Sequence, residues 1–205
     1  MLDRIPRRLL VAFTRSGPAT ETQDPAAAAA FGDEVDFFAY GEDCILSGRT
    51  ILDGDRLTDM LNEHDEYALI GVMVERFDGG QPMEVDELVV PRDEVWIVHA
   101  SGPRGDSARR HRTLQQHVAI KMGPYQVRGF YHALPGTDPV AAIRRRKAMV
   151  PLTAARIEFT AGGEKRDVRV DTVIVNRDLM EWVEAADPDQ IDFPVRATRV
   201  APNRS

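Results

Sequence analysis

The chain has 205 residues, of which 43% are hydrophobic and 29% charged, values of a soluble protein able to bury a core as one large domain or two small ones. Its formal charge of −7 weighs against a general nucleic-acid or anionic-membrane binder. A single cysteine, Cys44, excludes an internal disulfide and a cysteine-based zinc site, and reads as a buried, inert thiol in a reducing cytosol.

Residues 1–34 read as an N-terminal segment and linker. The opening MLDRIPRRLLVAFTRSG has arginines before LLVAF, but this apolar core of five residues is too short for a signal peptide. No apolar run has the length needed to span a membrane, so a cytoplasmic location is expected. IPRRLLVAF reads either as a tethered docking peptide or as a frayed end, and PATETQDPAAAAAFGDE as a linker without a core-forming period.

From residue 35 the pattern becomes that of strands. VDFFAY and CILSGRTIL are short, rich in aromatic and β-branched residues, and separated by the hairpin signal Gly-Glu-Asp. GDRLTDMLNEHD places Leu57, Met60 and Leu61 at helical spacing and predicts a helix of about two turns. YALIGVMVERF predicts a third strand turning at Asp78-Gly79-Gly80, MEVDELVV a fourth and VWIVHA a fifth. Pro91-Arg92-Asp93 carries turn chemistry between the last two.

The same order returns after a basic stretch at 101–116. HVAIKMGPYQVRGFYHALPG (117–136) lies over VDFFAYGEDCILSGRTILDG (35–54), and VPLTAARIEFTAGG (150–163) over YALIGVMVERFDGG (67–80). VDTVIVNRDLM (170–180) lies over VDELVVPRDEV (85–95), so that VPRDEVWIVHA answers VNRDLMEWVEA. Asp138 and Pro139 form an N-cap and N1 pair opening the second helix, with Val140 and Ile143 inward. Trp96 and Trp182 fall near one another in this alignment and are expected in packing.

Short strands arranged in this way expose edges unless the sheet closes, so the expected fold is mainly β with short helices: two tandem five-stranded small β-barrels, each with a short helix inserted after strand two. The boundaries are 35–100 for an acidic barrel, 101–116 for a basic linker, 117–185 for the second barrel and 186–205 for an extended tail containing Phe193, Pro194 and Pro202. Units of about 65 residues are near the limit for independent folding, so the barrels are expected to pack together.

The segment order resembles Sm-like and Src-homology-3-like small barrels. More specifically, RLTDMLN, VPLTAARI and VIVNRDLM are similar to an uncharacterised bacterial small-barrel domain family that reads RLSDxLN, FLPLTDA and VNRDHI. The first copy has ALIGVMV where LTDA is expected, and the second lacks the helix motif. The resemblance implies a small barrel and transfers no catalytic residue.

Charge separates the two copies. Residues 35–100 hold sixteen acidic side chains against four arginines, a balance of −12, whereas 117–185 hold eleven basic against eight acidic, a balance of +3. Opposed potentials favour specific docking, within one chain or between neighbouring chains stacked head to tail. Arg109, Arg110 and Arg112 of the linker, with Arg144, Arg145, Arg146 and Lys147 after the second helix, are the candidate contacts for an anion or partner. The equivalent place in the first copy, Asn62-Glu63-His64-Asp65-Glu66, is acidic, which opposes an anion site common to both.

Chemistry-bearing motifs are sparse. His64, His99, His111, His117 and His132 show neither HxxxH nor HExxH spacing, so no metal or other cofactor is expected. No Gly-rich phosphate loop or nucleophile elbow occurs, and Arg104-Gly105-Asp106 reads as a chance tripeptide. The expectation is a non-enzymatic protein that works by contact with a protein partner or with itself. Two alternatives stand. RNA binding by an Sm-like surface would draw on Tyr125, Phe130 and Tyr131. Cyclic-dinucleotide sensing of the PilZ type would need an RxxxR arm and a D/N-x-S-x-x-G motif, whose spacing neither DCILSG nor the basic linker provides.

Overall fold

The computed structural model describes residues 32–103 and 113–186, called here the first and second halves. The first half runs β1 (Glu34–Tyr40), β2 (Cys44–Ile51), α1 (Leu57–Glu63), β3 (Glu66–Arg76), β4 (Met83–Pro91) and β5 (Ile97–His99). The second runs β6 (Leu114–Met122), β7 (Tyr125–Ala133), α2 (Pro139–Arg144), β8 (Met149–Ala161), β9 (Glu164–Asn176) and β10 (Trp182–Ala185). A one-turn 3-10 helix, Arg92–Glu94 or Arg177–Leu179, joins the last two strands of each half. The mainly-β class with short helices holds.

The expected closure into two barrels does not. All ten strands form one open antiparallel sheet in the order β10-β6-β7-β8-β9-β5-β1-β2-β3-β4. Closing the second half on itself would pair β9 with β10. The inner edge of β9 instead takes β5 of the first half, with Ile97 opposite Val175, Val98 opposite Ile174 and His99 opposite Val173. Hydrogen bonds that would seal one unit are therefore spent joining two, and hydrophobic alternation along a strand does not say which neighbour supplies them.

Local chemistry accounts for the elements. β1 alternates up to its end, with Val35, Phe37 and Ala39 buried between exposed or half-buried residues before the also buried Tyr40 closes the strand. Helix α1 buries Leu57, Met60 and Leu61. Asp138 caps α2 by accepting from the Val140 and Ala141 amides at 3.3 and 3.0 Å, with Pro139 in the first turn. Ile143 is fully buried and Val140 is half-buried beside it. β9 changes character along its length: its first part is exposed, whereas Val173, Ile174, Val175 and Asn176 are all buried because strands flank them on both sides.

The ladders of the two halves also share their irregularities. β2 and β3 skip register between Ser47 and Arg49, and β7 and β8 between Arg128 and Phe130. Those bulges put Gly48 in correspondence with Gly129, one residue away from the sequence alignment over this hairpin. On the partner strands, Gly71 adopts φ 59° and Ala154 the same left-handed region at φ 47°. A glycine in the first half thus marks a turn of the backbone that an alanine makes under strain in the second.

The halves share their cores. Met149 and Ile174 of the second half pack into the cluster formed by α1 and the first-half strands, and Tyr40 and Ile97 belong to the second-half cluster. Aromatic rings fill the seam: Tyr40, Tyr125 and Phe159 lie 5.5–5.6 Å apart by centroid, and Phe77 stacks on Phe159 at 5.3 Å. The buried Tyr125 hydroxyl donates to the Gly41 carbonyl at 2.5 Å. Two amides lock the seam. Asn62 pairs with both the amide and the carbonyl of Met149 at 2.9 Å. Asn176 donates to the carbonyls of Arg92 and Val95 at 2.9 and 3.0 Å.

Candidate functional site

The basic run starts at Arg144, the last residue of α2, and continues into an exposed turn before β8. Arg144, Arg145, Arg146 and Lys147 are all exposed, and Arg146 donates to the Tyr131 hydroxyl at 2.9 Å with its guanidinium 6.0 Å from that ring. Arg109, Arg110 and Arg112 lie outside the described residues, as do the Arg-Gly-Asp tripeptide, the N-terminal peptide and the tail from 187 onward. Of the aromatics named for base stacking, Tyr125 and Tyr131 are buried and Phe130 is half-buried against His117 at 4.0 Å. The turn thus presents cations without free aromatic faces from these residues.

The Arg-Asp pairs hold the same place in both halves, at the 3-10 turn before the last strand. Arg92 donates from its amide to Asp65 O at 2.7 Å and from its guanidinium to His64 O at 3.2 Å. Arg177 donates from its amide to Ala148 O at 2.7 Å, and its guanidinium reaches the carbonyls of Arg144 and Arg146. With several donors in one plane, each arginine ties the turn to the chain end leaving the preceding helix. In the second half this is the clamp that fixes the cationic turn.

A cleft of about 440 Å³ is lined by Asp36, Phe37, Phe38, Ser47, Gly48, His99 and Ser101. Burial pushes the His99 imidazole down to about 4, so it is neutral at pH 7 and shares a 3.1 Å hydrogen bond with the Tyr40 hydroxyl. Burial likewise pushes Tyr40 up to about 12. The Phe38 ring lies 4.5 Å from the imidazole, and the Ser101 hydroxyl donates to the Asp36 carbonyl. Both of these hydrogen bonds are structural pairings within the fold. Cys44 is buried, and desolvation, then the Asp43 and Glu94 charges, push its thiol up to about 12.

On β8 and β9, Arg156 holds Asp167 through two nitrogens at 2.9 and 2.6 Å. That hydrogen bonding leads the causes that keep the Asp167 carboxyl below its usual range. Glu158 lies 3.3 Å from Arg156 and 3.0 Å from Lys165, an ion network of the solvated face. Among the described residues no group of three His, Cys, Asp or Glu side chains is placed to hold a metal, and no helix is long and apolar enough to cross a membrane.

Exposed apolar side chains occur at the sheet ends as well as at Leu114 and Leu134 elsewhere on the surface. Among the described residues, β4 and β10 each pair on one side only. Their outward-facing side chains include Met83 and Val89 on β4, 45% and 39% exposed, and Trp182 on β10, 39% exposed. Trp96 is half-buried at the seam beside Tyr125, so the two tryptophans, expected alike in packing, part company. These edges are not legible in the sequence, where both strands read as parts of closed barrels. The chain matches no family model, no curated protein and no solved structure in comparisons with each.

Proposed function

We propose that the chain is a non-enzymatic, cytoplasmic protein-interaction module, built from a duplicated five-stranded unit whose RLTDMLN and VNRDLM segments resemble an uncharacterised bacterial domain family, and that it works through the open edges of its sheet. The observation that carries this reading is the pair of edges that have no partner among the described residues and bear exposed Val89, Met83 and Trp182. A strand edge offers a row of backbone donors and acceptors, and folds that expose one without a partner risk indiscriminate pairing. Adding a strand to an edge is a general way to bind protein, with backbone bonds giving affinity and side chains giving selectivity.

The test is affinity purification of the tagged full chain beside its Val89→Lys variant, with nuclease-treated controls. The expected result is co-purifying protein, either the chain itself or another, that is reduced by the edge substitution and insensitive to nuclease. Recovery of RNA alone, in amounts that fall steeply as salt rises, would transfer the function to the nucleic-acid reading.

A further inference from the structure

The seam between the halves is a template for a contact at the outer edges. At the seam, the last strand of one unit (β5) lies against the fourth strand of the other (β9). The two edges left over are the same two elements in the other halves: β10 is the last strand of the second half and β4 the fourth of the first. The ladders give the correspondence residue by residue. Ile97 faces Tyr40 and Trp182 faces Lys121, so Trp182 stands where Ile97 stands and Val183 where Val98 stands. Glu66 faces Pro91 as Met149 faces Asn176, so Pro91 answers Asn176 and Val89 answers Ile174.

The side chains fit that correspondence. Ile97 and Ile174 are completely buried at the seam, and their counterparts Trp182 and Val89 are apolar but each 39% exposed at the free edges. The neutral polar contact transfers to a pair of opposite charges. Asn62, four residues before Glu66, holds the backbone of Met149 across the seam. Its counterpart is Arg145, four residues before Met149, and the counterpart of Met149 is Glu66; both are exposed. Repeating the seam between two molecules therefore brings the basic turn of one second half against the acidic start of β3 in another first half. The balances of −12 and +3 carried by 35–100 and 117–185 favour the same pairing.

We propose that copies of this chain associate head to tail, β10 of one pairing antiparallel with β4 of the next, in the register of the internal β5–β9 seam. This proposal rests on the protein-interaction reading and names its partner as a second copy. The contact is heterologous, so it continues into a ring or a filament according to the rotation per step. One position weakens it. At the seam the Asn176 amide donates to Trp96 O at 2.8 Å, and the Asn176 side chain adds two further bonds. Pro91 has no amide hydrogen and no side-chain donor, so the intermolecular ladder is shorter and its association reversible.

The experiment is sedimentation velocity of the full chain over a concentration series at low and high salt, with each variant checked for folding by circular dichroism. Wild type is expected to show mass that rises with concentration and falls with salt. Pro91→Asn restores the missing donors and is expected to tighten association about ten-fold or more. Val89→Lys weakens it by a similar factor, Arg145→Glu weakens it, and adding Glu66→Arg to Arg145→Glu restores it. Oligomers unaffected by Val89→Lys and Arg145→Glu would overturn the edge assignment while leaving self-association standing. A folded Pro91→Asn protein that stays monomeric at every concentration would overturn the proposal. Capture of a different protein by that monomer would show that the broader interaction reading survives, and capture of none would sink both.

Discussion

Asn176 offers the sharpest test of the seam. The residue is 2% exposed, and its side chain donates to Arg92 O and Val95 O and accepts from the Asp178 amide at 3.1 Å. Asn176→Ala strands the Val95 carbonyl in a buried site and the other two groups nearer water, where solvent compensates in part. At about 1–3 kcal/mol for a fully buried orphan and less for the others, the loss is about 2–4 kcal/mol. Asn176→Asp keeps the shape but turns an acceptor toward two carbonyls, so its carboxyl is pushed toward the protonated form. The Asp variant should thus be less stable than wild type at pH 7 and lose less as pH falls, because protonation returns one donor. Urea unfolding followed by far-UV circular dichroism and by Trp96 fluorescence, in a Trp182→Phe background, reads both effects. The shared cores predict one transition in wild type, seen alike by both probes. Losses below about 0.5 kcal/mol for both substitutions would refute the role given to this residue.

Three further outcomes follow from the same structure. Gly123→Ala should cost about 2–3 kcal/mol, since a Cβ there meets Trp96 ring carbons at 2.5 and 2.6 Å at φ 50°, whereas Gly79→Ala, at φ 79° in open space, should cost only about 1 kcal/mol; equal costs in chemical denaturation would contradict the close approach. Ala154→Gly should raise the unfolding free energy slightly, by up to about 1 kcal/mol, because it relieves φ 47° against the entropy of an added glycine; a clear loss would contradict the strain. His99 is held near 4 by burial. Below about pH 6.5 the unfolded chain binds a proton that the folded protein refuses until near pH 4, so stability falls as pH drops through that window. Denaturation midpoints of His99→Phe across this range should slope less than those of wild type, and an unchanged slope would remove His99 from the account.

Much of the chain's local order was legible in the sequence, and little of its assembly. The Asp138-Pro139 pair announced the start of α2, and Leu57, Met60 and Leu61 announced the buried face of α1, because caps and helical spacing act within a few residues. Asp78-Gly79-Gly80 and the two Arg-Asp segments announced turns for the same reason. The cationic run was visible as letters, but the Arg177 clamp that holds it depends on a partner more than thirty positions away in the chain. Asn62 and Asn176 looked like ordinary polar residues. Nothing in their neighbourhoods reveals that one ends a helix facing Met149 and the other is buried beneath Val95.

What the sequence determined by itself is the set of elements and their order, since hydrophobic period, caps and turn residues are local properties. Only the tertiary structure decided which strand lies beside which. A strand with two apolar faces accepts any partner of suitable length and twist, so the pattern of β9 fits closure on β10 as well as capture of β5. Choosing β5 merged two expected barrels into one sheet, placed Tyr40, Tyr125 and Phe159 at a shared seam, and left β4 and β10 as its ends among the described residues. Backbone hydrogen bonds carry no residue identity, and that is why the edges on which the proposed function rests emerge from the fold and not from the sequence.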